Sequence, residues 1–261
     1  MTLPLYQVDA FTDRLFGGNP AAVCPLERWL PDAQMQAIAA ENNLAETAFF
    51  VPDGDRYRLR WFTPAVEVDL CGHATLASAH VIFERLAPAR QEVSFTTLTA
   101  GTLTVRREGS RLALELPARP AVSTPAPPGL AVALGRAPVE VQAARDHLCV
   151  FDRAEDVAGL APDFAALSQV ECWGVIATAP GKDGVDFVSR FFAPRQGVAE
   201  DPATGSSHCT LVPYWAARLG TTRLEARQLS RRGGAFTCLL TGDRVTLIGG
   251  AVLYFEGSIT L

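Results

Sequence analysis

The stretch Cys71-Gly72-His73-Ala74-Thr75-Leu76-Ala77-Ser78-Ala79-His80-Val81-Ile82-Phe83-Glu84-Arg85-Leu86 decides the reading of this chain, because it has a counterpart further on. A shift of 133 residues lays 71–114 on 204–247 without a gap and matches ten positions. Gly72 falls on Gly205, Arg85 and Leu86 on Arg218 and Leu219, Gly109 on Gly242, and Leu114 on Leu247. The order of element types agrees too, which a chance match of letters would not give. Upstream of each copy an aromatic strand, Arg58–Phe62 or Asp186–Phe192, ends at a proline, Pro64 or Pro194. A loop then delivers Cys71-Gly72-His73 or Thr204-Gly205-Ser206, where a helix begins. The spacing puts Leu76, Ala79, Phe83 and Leu86 on one face of the first helix, and Leu211, Trp215 and Leu219 on one face of the second. A hairpin closes each half, turning at Gly109-Ser110 and Gly242-Asp243. Pro31-Asp32 and Pro162-Asp163 read as helix starts.

Prolines 117, 120, 125, 127, 128 and 138 mark a linker between the halves. The sequence therefore predicts an α+β fold of two pseudo-symmetric domains, 1–118 and 130–251, with a cleft between them. With 261 residues, 48% hydrophobic and 20% charged, the chain is long enough for real cores and is neither disordered nor fibrous. A net charge of −5 excludes nucleic-acid binding as the main function. The uncharged stretch 120–135 carries four prolines before Gly129 and is no membrane span. Met1–Asp9 has neither a basic nor an apolar signal region, and the six cysteines are scattered without a CxxC pair. Both features predict a cytoplasmic protein with free thiols. Of 23 basic residues only Lys182 is a lysine, in an exposed-looking Pro-Gly-Lys-Asp-Gly turn. Schiff-base and pyridoxal-phosphate chemistry, which needs a buried lysine, is not expected.

The chemistry points to the repeated loops. Each brings a glycine and a polar residue to a helix N-terminus, where free N–H groups and the helix dipole favour an anion. Two such points facing one cleft would grip a carboxylate; singly, each would be an ordinary helix start. Glu200-Asp201, just before the second loop, offers two acids where a cap needs one. Glu46 opens an apolar strand and reads either as a solvated edge or as a carboxylate pushed toward a cleft, where partial burial suits proton transfer. Cys71, His73, His208 and Cys209 have metal-ligand types. The repeat matches Cys71 with Thr204 and His73 with Ser206, so these slots accept non-ligands and no metal is expected.

Three strings, Leu44-Ala45-Glu46-Thr47-Ala48-Phe49, Leu70-Cys71-Gly72-His73-Ala74-Thr75 and Glu200-Asp201-Pro202-Ala203-Thr204-Gly205-Ser206, resemble the signatures of the phenazine-biosynthesis isomerase (PhzF-like) family. Asp9-Ala10-Phe11 and Gly18-Asn19-Pro20-Ala21-Ala22-Val23 fit as well, so the resemblance spans essentially the whole chain. It implies the diaminopimelate epimerase fold, each domain a β-sheet wrapped around a central helix, with the strand 252–261 returning to the first domain. It implies a cofactor-independent isomerase acting on a small carboxylate, with Glu46 as general acid/base assisted by His73 and Asp201. Gly72 and Gly205 would offer backbone N–H groups to the substrate, and Ser206, Asn19, Cys71 and Thr204 would line its binding site. It also implies a homodimer, on which the residues themselves are silent. Two-thiol racemases share the fold, but here the second thiol slot holds Thr204. A Cys71-dependent epimerase or dehydratase of the proline-racemase type stays open at this stage, as does a non-catalytic carboxylate-binding protein.

Overall fold

A helix built largely from Gly, Ala, Ser and Thr presents little bulk on any side, so a sheet can close around it. In the computed structural model, which describes residues 1–261, helix α2 (Gly72–Val81) is such an element: only His80 is not fully buried. Its hydroxyls are satisfied internally, Thr75 Oγ1 donating to the Cys71 carbonyl (2.6 Å) and Ser78 Oγ to that of Ala74 (2.7 Å). The chain divides into two units, Met1–Leu116 with Ile248–Leu261, and Pro117–Leu247.

The first unit holds β1 (Thr2–Ala10), β2 (Asn19–Pro25), α1 (Asp32–Asn42), β3 (Glu46–Asp53), β4 (Arg56–Phe62), β5 (Glu67–Val68), α2, β6 (Glu92–Thr96), β7 (Thr102–Glu108) and β8 (Arg111–Pro117). β2 and β3 run parallel, β3 and β4 antiparallel, β4 and β6 parallel, and β6, β7 and β8 form an antiparallel meander. α2 packs on β1, β2 and β3. Met35, Ile38 and Ala39 of α1 pack with Phe49 and Val51 of β3 and Phe62 of β4. The near-continuous burial of β3 from Thr47 to Val51 is what a strand covered on both faces requires.

The second unit holds β9 (Val122–Ser123), α3 (Leu130–Leu134), β10 (Glu140–Ala143), β11 (His147–Val150), α4 (Ala154–Ala158), α5 (Phe164–Gln169), β12 (Val175–Pro180), β13 (Phe187–Ala193), β14 (Val198–Asp201), α6 (Gly205–Leu219), β15 (Arg223–Gln228), β16 (Gly234–Thr241) and β17 (Arg244–Gly249). Its pairings repeat the first: β11–β12 parallel, β12–β13 antiparallel, β13–β15 parallel, β15–β16 antiparallel. The helix inside this sheet is α6, whose Trp215 stacks on Phe187 and donates to Thr178 Oγ1 (3.0 Å). Asp163 caps α5, accepting from the Ala166 amide (3.0 Å).

The edge strands are exchanged. β18 (Ala251–Thr260), which follows the second hairpin, pairs with β1 from Thr2↔Thr260 to Ala10↔Ala251. β9, which follows the first hairpin, pairs with β10 of the second unit. The proline-rich segment expected as a linker thus contributes a strand to the second sheet. No helix is long and apolar enough to cross a membrane.

Two details depart from the expected helix faces. Leu86 is 46% exposed, because Ile82–Leu86 winds as a π-turn that moves the last residue off the phase of Leu76, Ala79 and Phe83. Leu219 is 45% exposed because it is the final residue before the Gly220 C-cap. The all-round burial of α2 leads to a prediction. Ala77→Leu should destabilise the protein by about 1–3 kcal/mol through overpacking, read as a lower urea midpoint; an unchanged midpoint would show slack around the helix.

Candidate active site

The first unit assembles Asn19, Glu46, Cys71 and His73 into one cluster. Each comes from an element end: Asn19 opens β2, Glu46 opens β3, Cys71 is the N-cap of α2 and His73 lies in its first turn. His73 Nε2 lies 3.1 Å from Glu46 Oε2, with the two side chains 4% and 15% exposed. The contact is short but off-line for a hydrogen bond. His73 Nδ1 lies 3.0 Å from Asn19 Nδ2 and 3.5 Å from Cys71 Sγ.

Burial pushes the Cys71 thiol up to about 11, and the Glu46 charge adds to the effect. The thiol is therefore neutral near pH 7. Burial disfavours a charged His73 ring; charges on Cys71 and Glu46 outweigh it and hold His73 above an ordinary imidazole. With the thiol neutral near pH 7, the Glu46 carboxylate is the charge that raises His73 there.

The donor atoms of Glu46, Cys71 and His73 lie within 4.8 Å of one another, so this trio has the ligand types for a divalent cation. It is not the quartet considered from sequence. His208 is packed against Phe187 and Phe236, its Nδ1 at 2.8 Å from the Thr204 carbonyl, and burial lowers it to about 4.

In the second unit the loop before α6 is tied by side chains. Thr204 Oγ1 donates to Asp201 Oδ2 (2.5 Å). Gln228 Oε1 accepts from the Thr204 amide (2.8 Å), and Gln228 Nε2 donates to the Asp201 carbonyl (2.6 Å). Ser206 Oγ takes an N–H of Arg145 at 3.3 Å, and that guanidinium lies over the Trp173 ring. The two acids divide: Glu200 is held bidentately by Arg190 (2.7 and 2.9 Å), whereas Asp201 is tied to Thr204. Gly72 and Gly205 are the first residues of α2 and α6, and neither helix has a side-chain cap or an acid in its first turn.

Register exposes how far the repeat has diverged. Thr47 lies opposite Phe62, two residues before Pro64; Val175 lies opposite Phe192, two before Pro194. The residue matching Glu46 is then Gly174, as Ser206 matches His73. A Cβ at 174 would come within 2.6 Å of the Phe191 ring, so no side chain fits. The second unit thus has no carboxylate–imidazole pair at the positions matching Glu46 and His73. Gln228 and Arg145 escaped the sequence reading. The only hint of Gln228 is an amide at the end of an otherwise alternating strand, and only the folded loop gives it partners.

Two repeated units, each a sheet around a helix whose N-terminus is left uncapped, define an epimerase-like isomerase fold. A family profile described as phenazine biosynthesis-like protein matches residues 8–257. An uncharacterized isomerase of Pseudomonas aeruginosa is 54% identical over 262 residues, covering 100% of both chains. A PhzF-family crystal structure from Enterococcus faecalis superposes with a TM-score of 0.95 at 47% identity, covering 100% of each chain. A hydroxyproline epimerase from Agrobacterium vitis, solved with trans-4-hydroxy-L-proline, shares the fold alone: TM-score 0.62 at 13% identity, over 99% of this chain and 92% of that one. The chain belongs to the phenazine biosynthesis-like (PhzF) family and, with relatives named isomerases, is an isomerase.

Two predictions follow from these environments. Gln228→Leu leaves the Thr204 amide and Asp201 carbonyl without their partner and should cost about 2 kcal/mol or more of stability in denaturant unfolding. Peptide-mapped iodoacetamide labelling should be slow at Cys71 near neutral pH, with half-buried Cys172 labelled first, and should accelerate as pH rises toward about 11. Rapid neutral labelling of Cys71 would mean an activated thiolate.

Proposed function

We propose that the protein is a cofactor-independent isomerase that moves a proton between carbons of a small carboxylate-bearing substrate, with Glu46 as the acid/base. The observation that carries this reading is the half-buried Glu46 carboxylate 3.1 Å from buried His73, a pair whose matching positions in the second unit hold Gly174 and Ser206. Glu46 takes the proton as the C–H bond breaks, the electron pair delocalises into the adjacent conjugated or carboxylate system, and the Glu46 carboxyl group, whose proton exchanges with solvent, delivers a proton to another carbon. No electrons leave the substrate and no co-reactant is needed.

The uncapped starts of α2 and α6 are suited to hold the negative charge that develops, through the Gly72 and Gly205 amides. Ser206 and Asp201 are assigned to binding and orienting the substrate, with Thr204 holding the Asp201 carboxylate. Asn19 and Cys71 flank His73.

One contact favours a second reading, a Cys71-dependent epimerase or dehydratase: Cys71 Sγ is 3.5 Å from His73 Nδ1, the spacing of a thiol and its base. The high thiol pKa and the matching Thr204, whose hydroxyl is engaged with Asp201, weigh against it.

Incubation in D₂O with a panel including dihydro-hydroxyanthranilate, diaminopimelate and hydroxyprolines, followed by mass spectrometry, tests both. Glu46→Gln should lower deuterium incorporation by about 10²–10⁴-fold while Cys71→Ala retains it. Incorporation lost in Cys71→Ala and kept in Glu46→Gln would transfer the role to the thiol.

A further inference from the structure

Asn19 is completely buried, and its amide nitrogen lies 3.0 Å from His73 Nδ1. An amide NH₂ is a donor with no lone pair to offer, so this bond exists only when Nδ1 carries no hydrogen. A neutral imidazole has one ring proton, which must then sit on Nε2, the atom 3.1 Å from Glu46 Oε2. We infer that Asn19 is a positioning residue that fixes His73 as its Nε2–H tautomer, so that the ring presents a hydrogen to the Glu46 carboxylate. The catalytic meaning of this arrangement rests on the reading of Glu46 as the acid/base.

The alternative tautomer would reverse the relation. With the proton on Nδ1, the Nε2 lone pair would face Glu46, and the two could lie 3.1 Å apart only with a proton on the carboxyl group. Asn19 therefore selects which member of the pair starts as the base. One Glu46 oxygen then faces the imidazole N–H at 3.1 Å, and the other is left for the substrate proton. Cys71 Sγ approaches the same Nδ1 lone pair at 3.5 Å, but a thiol is a weaker donor than an amide at 3.0 Å.

The backbone holds Asn19 firmly enough for this task. It opens β2 directly opposite Ala10 of β1. Gly18, before it, has φ +58°, and a Cβ there would lie 2.1 Å from the Ala10 carbonyl oxygen. The chain can make this close approach only through glycine. The Gly18-Asn19-Pro20 string so acquires a physical content: a forced turn, then a buried amide aimed at a ring nitrogen.

The tautomer itself can be read without substrate. A long-range ¹H–¹⁵N correlation spectrum of ¹⁵N-histidine-labelled protein reports the protonation of both ring nitrogens; His73 is picked out from the four histidines by its loss in His73→Gln. The expected wild-type spectrum, recorded above the raised His73 transition where the ring is neutral, shows Nδ1 bare and Nε2 protonated. Asn19→Asp, an acceptor of the same shape, should convert the ring to an Nδ1-protonated form. It should also shift the pH profile of D₂O exchange and lower kcat by roughly tenfold or more with KM little changed. Asn19→Leu should release the preference. A wild-type ring protonated on Nδ1, or a tautomer unchanged in folded Asn19→Leu, overturns the inference; the wild-type spectrum decides alone if the variants do not fold. If the Nε2–H form is found while Glu46→Gln keeps full activity, the tautomer assignment stands and the Glu46 reading falls.

Discussion

Burial of a helix inside a sheet is the constraint on which each unit is built, all round for α2 and over the first half of α6. Such a helix gains nothing from amphipathicity and must be slender, and every polar atom it carries must find a partner inside. α2 meets these terms with alanines, a serine and a threonine that bond back to its own carbonyls. α6 departs from them: it carries larger residues, ring-stacked against β13 and hydrogen-bonded to β12, and the buried His208 leaves Nε2 without a hydrogen-bond partner. A buried helix also carries its N-terminus into the interior, where the dipole is poorly screened. Cys71-Gly72-His73 and Thr204-Gly205-Ser206 lie where they do because the helices lie where they do.

The two units share that frame and differ in what they hang on it. His73 and Glu46 in the first have become Ser206 and Gly174 in the second, and the Phe191 ring occupies the room a side chain at 174 would need. At these positions the carboxylate and imidazole occur in one copy only. The matching loop of the other carries hydroxyls, the Asp201 carboxylate, an amide and a guanidinium, joined by hydrogen bonds. A symmetric racemase needs an acid and a base of similar strength on its two sides; this repeat has moved away from that arrangement.

Much of this was legible in the residues. The glycine-led helix starts, the hairpin turns and the repeat itself are local patterns, and local patterns survive in sequence. Glu46, His73 and Cys71 sit close together because two strand openings and one helix start converge, and the family strings marked those positions. What stayed hidden depends on tertiary geometry. Gln228 looks like any strand residue until the Asp201–Thr204 loop folds onto it. Glu200 and Asp201 are chemically alike in sequence, and only Arg190 separates a structural acid from a loop-anchoring one. The π-turn at Ile82–Leu86 breaks the helical phase that any count of three and four relies on.

The exchanged edge strands bear on how the molecule comes to be folded during synthesis. β1 is among the first segments made, yet its outer edge is closed by β18, a partner separated from it by nearly the whole chain. Until that partner emerges, β1 offers unpaired amides and carbonyls to whatever strand is near. The first sheet is finished only after the second has been translated, so the maturation of the two is kinetically tied even though each surrounds its own helix. Dividing the gene at its proline-rich midpoint would therefore yield two fragments that each lack an edge, and their natural way to supply it is to trade strands with one another.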